Sequence, residues 1–266
     1  MTRNKARKHR ELSASQGSEA MAALIRDGFG PLEAQALIED QKLREEVIRK
    51  IRSKCVPYGE CTEIETARRI MGSNFYGPNE CFRLLGQSLF SPHDEKVLQH
   101  IPFPPEVLAS IKDDYVLVAM PSISVLKIRE IIPEFFFNQT EGWFSFEKEK
   151  FSRNTFNAQW MLIRRSFSTD HSDRSWDEQI AILDKKKVFV LSASAVAFVC
   201  ALHYKRTGER LFENFLNCMD RTNEGAVVSV GHGFRDGEGF KLQFAPWEAR
   251  GNPRTSLAIA IRPDIF

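Results

Sequence analysis

The stretch that decides the fold is residues 191–208, LSASAVAFVCALHYKRTG. It predicts a buried helix from about Leu191 to Arg206, because a continuous apolar run of this length is typical of a core helix. Gly208 follows at the position where a left-handed helix terminator is expected. Small side chains that allow a neighbouring element to approach closely fill the first half of the helix: Ser192, Ala193, Ser194, Ala195 and Ala197.

Short segments of alternating polarity follow the helix and predict antiparallel strands. They are residues 212–219, 226–231, 240–245 and 257–261. Turn residues join the first three, at Thr222-Asn-Glu-Gly and at Arg235-Asp-Gly-Glu-Gly. A helix that crosses such a meander is typical of an α+β layer.

The sequence before the helix adds two strands and several helices. Gln159–Arg165 and the apolar run Tyr115–Met120 predict strands. Ser175-Trp-Asp-Glu178 fits a capping box that opens a short helix. Further helices are expected over 62–71 with Thr62 as the cap, over 80–85, and over 122–132. The fold class is therefore α+β: a mainly antiparallel sheet packed with helices, preceded by a small helical N-terminal segment.

The chain divides into three expected parts. Residues 1–17 form a basic arm that we expect to be disordered, and residues 18–54 form a helical segment that breaks at Gly30-Pro31. The pattern ends at Cys55-Val-Pro-Tyr-Gly, so residues 55–266 are the expected α+β main domain.

Composition excludes several classes of protein. The chain has 266 residues, 42% of them hydrophobic, with 21 Phe, as expected of a globular protein. The net charge of +2 gives no overall attraction to nucleic acid. No apolar run reaches the roughly 18 residues of a membrane span, and the polar N-terminus lacks a secretory h-region. Five Cys favour reduced thiols over a disulfide scaffold, and we expect a cytoplasmic protein away from membranes.

Six aromatic residues fall within residues 135–146. Such a cluster, with Lys148, Lys150 and Arg153 after it, can form a stacking platform for single-stranded nucleic acid. Core packing is the commoner use of aromatic side chains, and the interspersed acidic residues would repel phosphates. The sequence therefore favours packing. Those acidic residues are Glu141, Glu147 and Glu149.

The cysteines and histidines near the end of the chain offer two candidate chemical sites. Cys200-x-x-His203, with Cys218 and His232, has the residue types of a tetrahedral zinc site. Cys218 and His232 have the residue types of a nucleophile and its base, although a hairpin would place Cys218 opposite Ser229. Both cysteines lie in apolar segments, where buried thiols are common. We therefore assign no catalytic, cofactor-binding or metal-binding residue.

The paired glycines near the end of the chain were weighed as a phosphate-binding loop. Gly231-x-Gly233 and Gly237-x-Gly239 lack the strand-to-helix context of such a loop. We read both pairs as hairpin turns.

Four motifs in combination resemble a family of uncharacterised prokaryotic proteins, over about residues 72–266. They are Trp160-x-Leu-Ile-Arg, Trp176-x-Glu-Gln179, Thr207-Gly-Glu-Arg-Leu-Phe212 and Val228-x-Val-Gly231. The resemblance implies one shared domain. It implies no catalytic residues, because the family has no assigned activity.

The function expected from these observations is a protein-binding or scaffolding domain without catalytic turnover, with an unknown protein partner. Two alternatives stay open. A nucleic-acid-binding protein would use residues 1–54, and an enzyme would use the Cys/His site. The first predicts salt-dependent affinity that falls when residues 1–54 are removed. The second predicts an activity that Cys218→Ala or His232→Ala abolishes.

Overall fold

A computed structural model describes residues 29–43, 61–165, 174–183, 188–232, 239–245 and 255–261, with the isolated positions 22, 25, 26 and 47. The chain forms two compact units, Met1–Cys61 and Thr62–Phe266. The expected arm at 1–17 and the expected boundary at residues 54 and 55 lie outside the described residues. No helix of the described residues is both long and apolar enough to cross a membrane.

The first unit contains helix α1, Pro31–Glu39. Pro31 occupies the first helical position, as the sequence predicts, because its fixed φ suits that position and it lacks the N–H that would go unbonded there. The Glu33 carboxylate accepts a hydrogen bond from the Gly30 N–H at 2.9 Å. No residue of α1 is buried.

The described part of the second unit contains helices and short strands in alternation. The helices are α2 (Ile64–Met71), α3 (Pro78–Leu85), α4 (Pro92–Val97), α5 (Pro105–Ile111), α6 (Val125–Ile131), α7 (Trp176–Ala181) and α8 (Ala193–Thr207). The strands are β1 (Thr62–Glu63), β2 (Phe75–Tyr76), β3 (His100–Ile101), β4 (Tyr115–Met120), β5 (Gln159–Arg164), β6 (Val188–Val190), β7 (Phe215–Arg221), β8 (Val227–His232), β9 (Phe240–Ala245), β10 (Thr255–Leu257) and β11 (Ile259–Ile261).

The larger sheet has the order β2-β4-β5-β11-β6. β4 and β5 form its centre as an antiparallel pair, with Tyr115 opposite Arg164 and Met120 opposite Gln159. β2 joins β4 in parallel, and β11 pairs antiparallel with both β5 and β6. The expected strand at 115–120 is confirmed, and its residues from Val116 onward are buried.

The second sheet has the order β10-β7-β8-β9. β7, β8 and β9 form the expected antiparallel meander, whereas β10 pairs with β7 in parallel. The expectation of one antiparallel strand over 257–261 is wrong, because the chain changes sheets at Ala258. Its carbonyl accepts from the Leu191 N–H at 2.7 Å, and its N–H donates to the Asn217 carbonyl at 3.0 Å. Ala258 therefore connects the two sheets.

Helix α8 is the central helix of the unit, and the α+β class with helices packed on mainly antiparallel sheets is confirmed. Every residue from Ala193 to His203 is buried. The Ser192 hydroxyl caps the helix by accepting from the Ala195 N–H at 3.2 Å, and Gly208 ends it with a φ of 74°. These bounds agree with the prediction to within a residue or two. Close packing around a helix of small residues excludes water from both sheets.

Three local predictions are corrected. Thr62 does not cap a helix: it lies in β1, and its buried hydroxyl donates to the Phe103 carbonyl at 2.6 Å. Asn217, rather than Cys218, lies opposite Ser229. Gly231 lies inside β8 rather than in a turn, where an added Cβ would come within 2.9 Å of the Asn214 carbonyl. A side chain would push β7 and β8 apart there.

Candidate functional site

The two cysteines weighed as ligands or nucleophiles are buried thiols. Cys200 lies in α8 and Cys218 in β7, and burial raises the pKa of each well above its ordinary value. The Cys218 thiol donates to the Leu216 carbonyl at 3.6 Å. Both groups therefore stay protonated at neutral pH, and a protonated thiol is neither a good nucleophile nor a metal ligand.

The four residues of the zinc hypothesis are not shown as one cluster. His203 hydrogen-bonds Tyr76, and only the backbone of His232 is described, in register with Phe240 of β9. Across residues whose side chains are described, no group of three or more His, Cys, Asp or Glu could hold a metal ion.

A buried tyrosine–histidine pair lies between β2 and α8. The Tyr76 hydroxyl lies 2.9 Å from Nδ1 of His203, and both side chains are buried. Burial lowers the pKa of His203, and the positive charges of Arg165 and Arg206 lower it further, while Glu209 opposes them. The imidazole is therefore held neutral, and in its Nε2–H tautomer Nδ1 accepts a hydrogen bond from the Tyr76 hydroxyl. Burial raises the pKa of Tyr76, against the effect of the same two arginines.

Two arginines surround this pair and bind the same short segment of chain. Arg206 lies over the Tyr76 ring, with its guanidinium carbon 4.0 Å from the ring centroid. Its Nη1 donates to the carbonyls of Ser73 at 2.7 Å and Phe75 at 2.9 Å. Nη1 of Arg165 donates to the Asn74 side chain at 3.0 Å. The segment 73–76 is thus held by two cations from distant parts of the chain.

The motif that contains Trp176 and Gln179 has a structural role. Arg221 lies over the Trp176 ring at 4.2 Å, and the Ser175–Glu178 capping box is present as predicted. Gln179 is completely buried and accepts from Nδ2 of Asn217 at 3.0 Å. These contacts attach α7 to the face of the second sheet that is opposite α8.

The aromatic residues 135–146 divide into buried and exposed sets. Phe135, Phe136 and Phe144 are buried, and Phe135 stacks on Phe240 with ring centroids 4.8 Å apart. The packing prediction is therefore confirmed for these three residues. Phe137 and Phe146, in contrast, are 54% and 58% exposed.

Phe137 and Trp143 lie along β9, the edge strand of the second sheet. The Phe137 N–H donates to the Phe240 carbonyl at 2.9 Å, and the Trp143 indole N–H donates to the Leu242 carbonyl at 3.1 Å. Residues 137–143 thus cover the open edge of the sheet, which protects it from pairing with other strands. Gly239 permits this approach, because an added Cβ would lie 2.7 Å from the Phe137 nitrogen.

One strand residue extends this aromatic surface. Phe244 of β9 is 55% exposed and packs edge-on against Trp143, with centroids 5.0 Å apart. Lys241 places its ammonium 4.1 Å from the centre of the Phe137 ring. Lys241 and Phe244 are three positions apart on β9 and therefore project from opposite faces of the strand, so these groups lie on both sides of the covered edge. We call this set the aromatic edge surface: Phe137, Trp143, Phe146, Lys241 and Phe244.

Comparisons of the chain with family models, with curated proteins and with solved structures found no match in any of the three. The resemblance of four motifs to an uncharacterised prokaryotic family stays a prediction.

Sequence reasoning missed the buried pair and the arginines around it. Tyr76 and His203 are separated by 127 positions, Arg206 and Ser73 by 133, and Arg165 and Asn74 by 91. No spacing rule brings such residues together. The sequence also did not predict that Phe137 and Phe146 are exposed. Their exposure depends on how residues 135–146 pack against the rest of the fold, which no local pattern encodes.

Proposed function

We propose that the protein is a binding protein and that the aromatic edge surface is its docking site for a protein partner. The observation that carries the proposal is the exposure of three phenylalanine side chains, Phe137, Phe146 and Phe244, each more than half accessible. Several exposed aromatic side chains on and beside one edge strand favour a protein interface, since aromatic anchors supply most of the binding energy at such surfaces.

The chemistry of the surface specifies the partner. Phe244 and Trp143 offer an apolar area on one face of β9, and Lys241 places a cation beside Phe137 on the other face. The matching partner covers the edge with an apolar segment against Phe244 and Trp143 and carries a carboxylate that reaches Lys241 across the edge, because an apolar contact and a charge pair give affinity and register together. Main-chain pairing with β9 contributes little, as residues 137–143 already bond that edge.

Two further observations support binding over turnover and a cytoplasmic location. Burial raises the pKa values of Cys200 and Cys218, which removes the thiolate that a Cys/His enzyme would need. Cys81, Cys200 and Cys218 are buried thiols that form no disulfide among the described residues, as expected in a reducing compartment.

The test combines three exposed aromatic substitutions with a matched control. The triple variant Phe137→Ser, Phe146→Ser and Phe244→Ser removes the rings, and Phe82→Ser alters a ring of similar exposure on α3. A partner is first identified by cross-linking to the wild-type protein and is then purified. Its affinity is measured by calorimetry for all three proteins, after thermal unfolding has shown that each is folded.

We expect the triple variant to bind at least about tenfold more weakly, which corresponds to about 1.4 kcal/mol, and Phe82→Ser to bind like the wild type. Equal affinities of the triple variant and the wild type would refute the docking site. Tighter, salt-dependent binding of a single-stranded oligonucleotide that the triple variant loses would replace the protein partner with nucleic acid.

A further inference from the structure

We propose that Arg165 and Arg206, together with the segment Ser73–Tyr76, form a binding site for a phosphate-class oxyanion. This site is separate from the aromatic edge surface and does not depend on the proposed docking function.

The fold places two cations at one short segment of chain. Arg206 comes from the last turn of α8 and Arg165 directly follows β5, yet both guanidinium groups contact residues 73–75. Asn74 is itself held by a hydrogen bond from its Nδ2 to the Lys112 carbonyl at 2.6 Å. The two positive charges are therefore fixed near one short piece of backbone instead of moving freely in solvent.

The guanidinium nitrogens of the two arginines are used unequally. Both arginines form their contacts to the 73–75 segment through Nη1. Within the described residues no carbonyl or carboxylate accepts from Nε or Nη2 of either arginine, although the Arg206 side chain also hydrogen-bonds the Tyr76 hydroxyl. These two nitrogens form the planar edge that binds a phosphate or carboxylate through two parallel hydrogen bonds. The edge suited to an oxyanion is thus the one that the fold leaves without such an acceptor.

The charges around the site are not balanced. Within the described part of the chain, neither Arg165 nor Arg206 has a carboxylate at ion-pair distance. Arg68, which lies over the neighbouring Phe75 ring at 5.3 Å, differs from them because it pairs with Glu80 at 2.8 Å. Glu209 is within electrostatic range of His203 but is exposed. A partly buried pair of cations without a counterion attracts an anion.

The buried pair Tyr76–His203 supplies no counterion. Burial raises the pKa of Tyr76, which keeps its proton, and lowers the pKa of His203, which is neutral, so neither side chain carries a negative charge. Both side chains are buried, and the Arg206 guanidinium lies over the Tyr76 ring. A guanidinium with a low-dielectric side binds an anion more strongly than one surrounded by water.

The site predicts specific binding of small phosphate compounds. Full-length protein is titrated by calorimetry with inorganic phosphate and, separately, with glycerol 3-phosphate, at an ionic strength held constant with sodium chloride. We expect saturable binding of at least one probe. Tighter binding of glycerol 3-phosphate assigns the site to the phosphate group of a larger molecule, and tighter binding of inorganic phosphate assigns it to the free anion.

Two substitutions and one control locate the binding. Arg165→Gln removes one positive charge, and the side-chain contact that it changes is the hydrogen bond to Asn74. Arg206→Lys keeps the positive charge but removes the planar guanidinium edge. Arg69→Gln removes an exposed arginine of α2 and is the matched control. We expect about tenfold weaker binding in the first two variants and unchanged binding in the third.

Three results would overturn the site. They are no saturable binding of either probe, wild-type affinity in both Arg165→Gln and Arg206→Lys, or an equal loss in Arg69→Gln. The thermal midpoint of each variant is recorded with and without phosphate. A variant that has lost only binding unfolds near the wild-type midpoint and shows no increase with phosphate, whereas a variant that has lost its fold shows no cooperative transition.

Discussion

At the scale of single residues, the side chains that the sequence pattern singles out are not the ones that hydrogen-bond one another in the fold. The sequence pattern singles out Cys200 and Cys218, because thiols near a histidine are typical of metal sites and of catalytic nucleophiles. The fold instead places both among apolar neighbours and joins His203 to Tyr76. Residue identity alone could not reveal this, since the pKa of a group depends on what surrounds it.

The buried histidine predicts a pH dependence of stability. Burial holds the folded-state pKa of His203 below the ordinary value of 6.5. When the pH falls below about 6.5, the unfolded chain binds a proton at this position before the folded chain does, so stability is lost. The loss approaches about 1.4 kcal/mol per pH unit between the two pKa values.

Urea unfolding at about pH 7.5, 6.5 and 5.5 measures this effect. We expect the wild type to lose stability as the pH is lowered, and His203→Asn, which keeps a hydrogen-bonding atom near Nδ1, to lose less. His93→Asn, at an exposed position on α4, should follow the wild type. If His203→Asn kept the full pH slope of the wild type, His203 would not be its source.

At the scale of elements, local signals in the sequence predict the parts well and their pairing less well. The capping box at Ser175, the terminator Gly208 and the strand Tyr115–Met120 are encoded by neighbouring residues, and all three are confirmed. The change of sheets at Ala258 is not encoded locally. It depends on hydrogen bonds to Leu191 and Asn217, which are distant in sequence.

The attachment of α7 shows how a buried polar contact fixes the position of an element. Ser229 donates to Asn217 at 2.5 Å, and Asn217 donates in turn to the buried Gln179 at 3.0 Å. Gln179→Ala would leave the Asn217 amide without this acceptor, which costs about 1–3 kcal/mol. Gln243→Ala, an exposed glutamine on β9, should change the free energy of unfolding by less than about 0.5 kcal/mol.

Chemical denaturation measures the free energy of unfolding of Gln179→Ala, Gln243→Ala, Asn217→Ala and the double variant Gln179→Ala with Asn217→Ala. We expect the double variant to lose less than the sum of the single variants, because they share one hydrogen bond. Additive losses, or equal effects of Gln179→Ala and Gln243→Ala, would show that packing alone holds α7.

At the scale of the whole molecule, the described apolar core belongs to the second unit. Both core clusters consist of residues from Ile64 to Ile261, whereas α1 of the first unit buries none of its residues. A helix with no buried residue gains little from tertiary packing, and short isolated helices are marginal in water. Among the described residues, the apolar packing that stabilises the protein therefore lies in residues 64–261.

Residues 62–266 produced alone should consequently fold and unfold cooperatively. We expect the thermal midpoint of this fragment to lie within about 2–4 °C of the midpoint of the full chain, the shift that about 1 kcal/mol produces in a domain of this size. A fragment that unfolds without cooperativity would show that the first unit stabilises the second.

The same pair of proteins tests the nucleic-acid alternative. If residues 1–54 bind duplex DNA, the full chain should bind it with an affinity that falls as the salt concentration rises, and the fragment should not bind it. DNA affinity retained by a folded fragment would instead place nucleic-acid binding in the second unit, where the arginines around Tyr76 are the first residues to substitute.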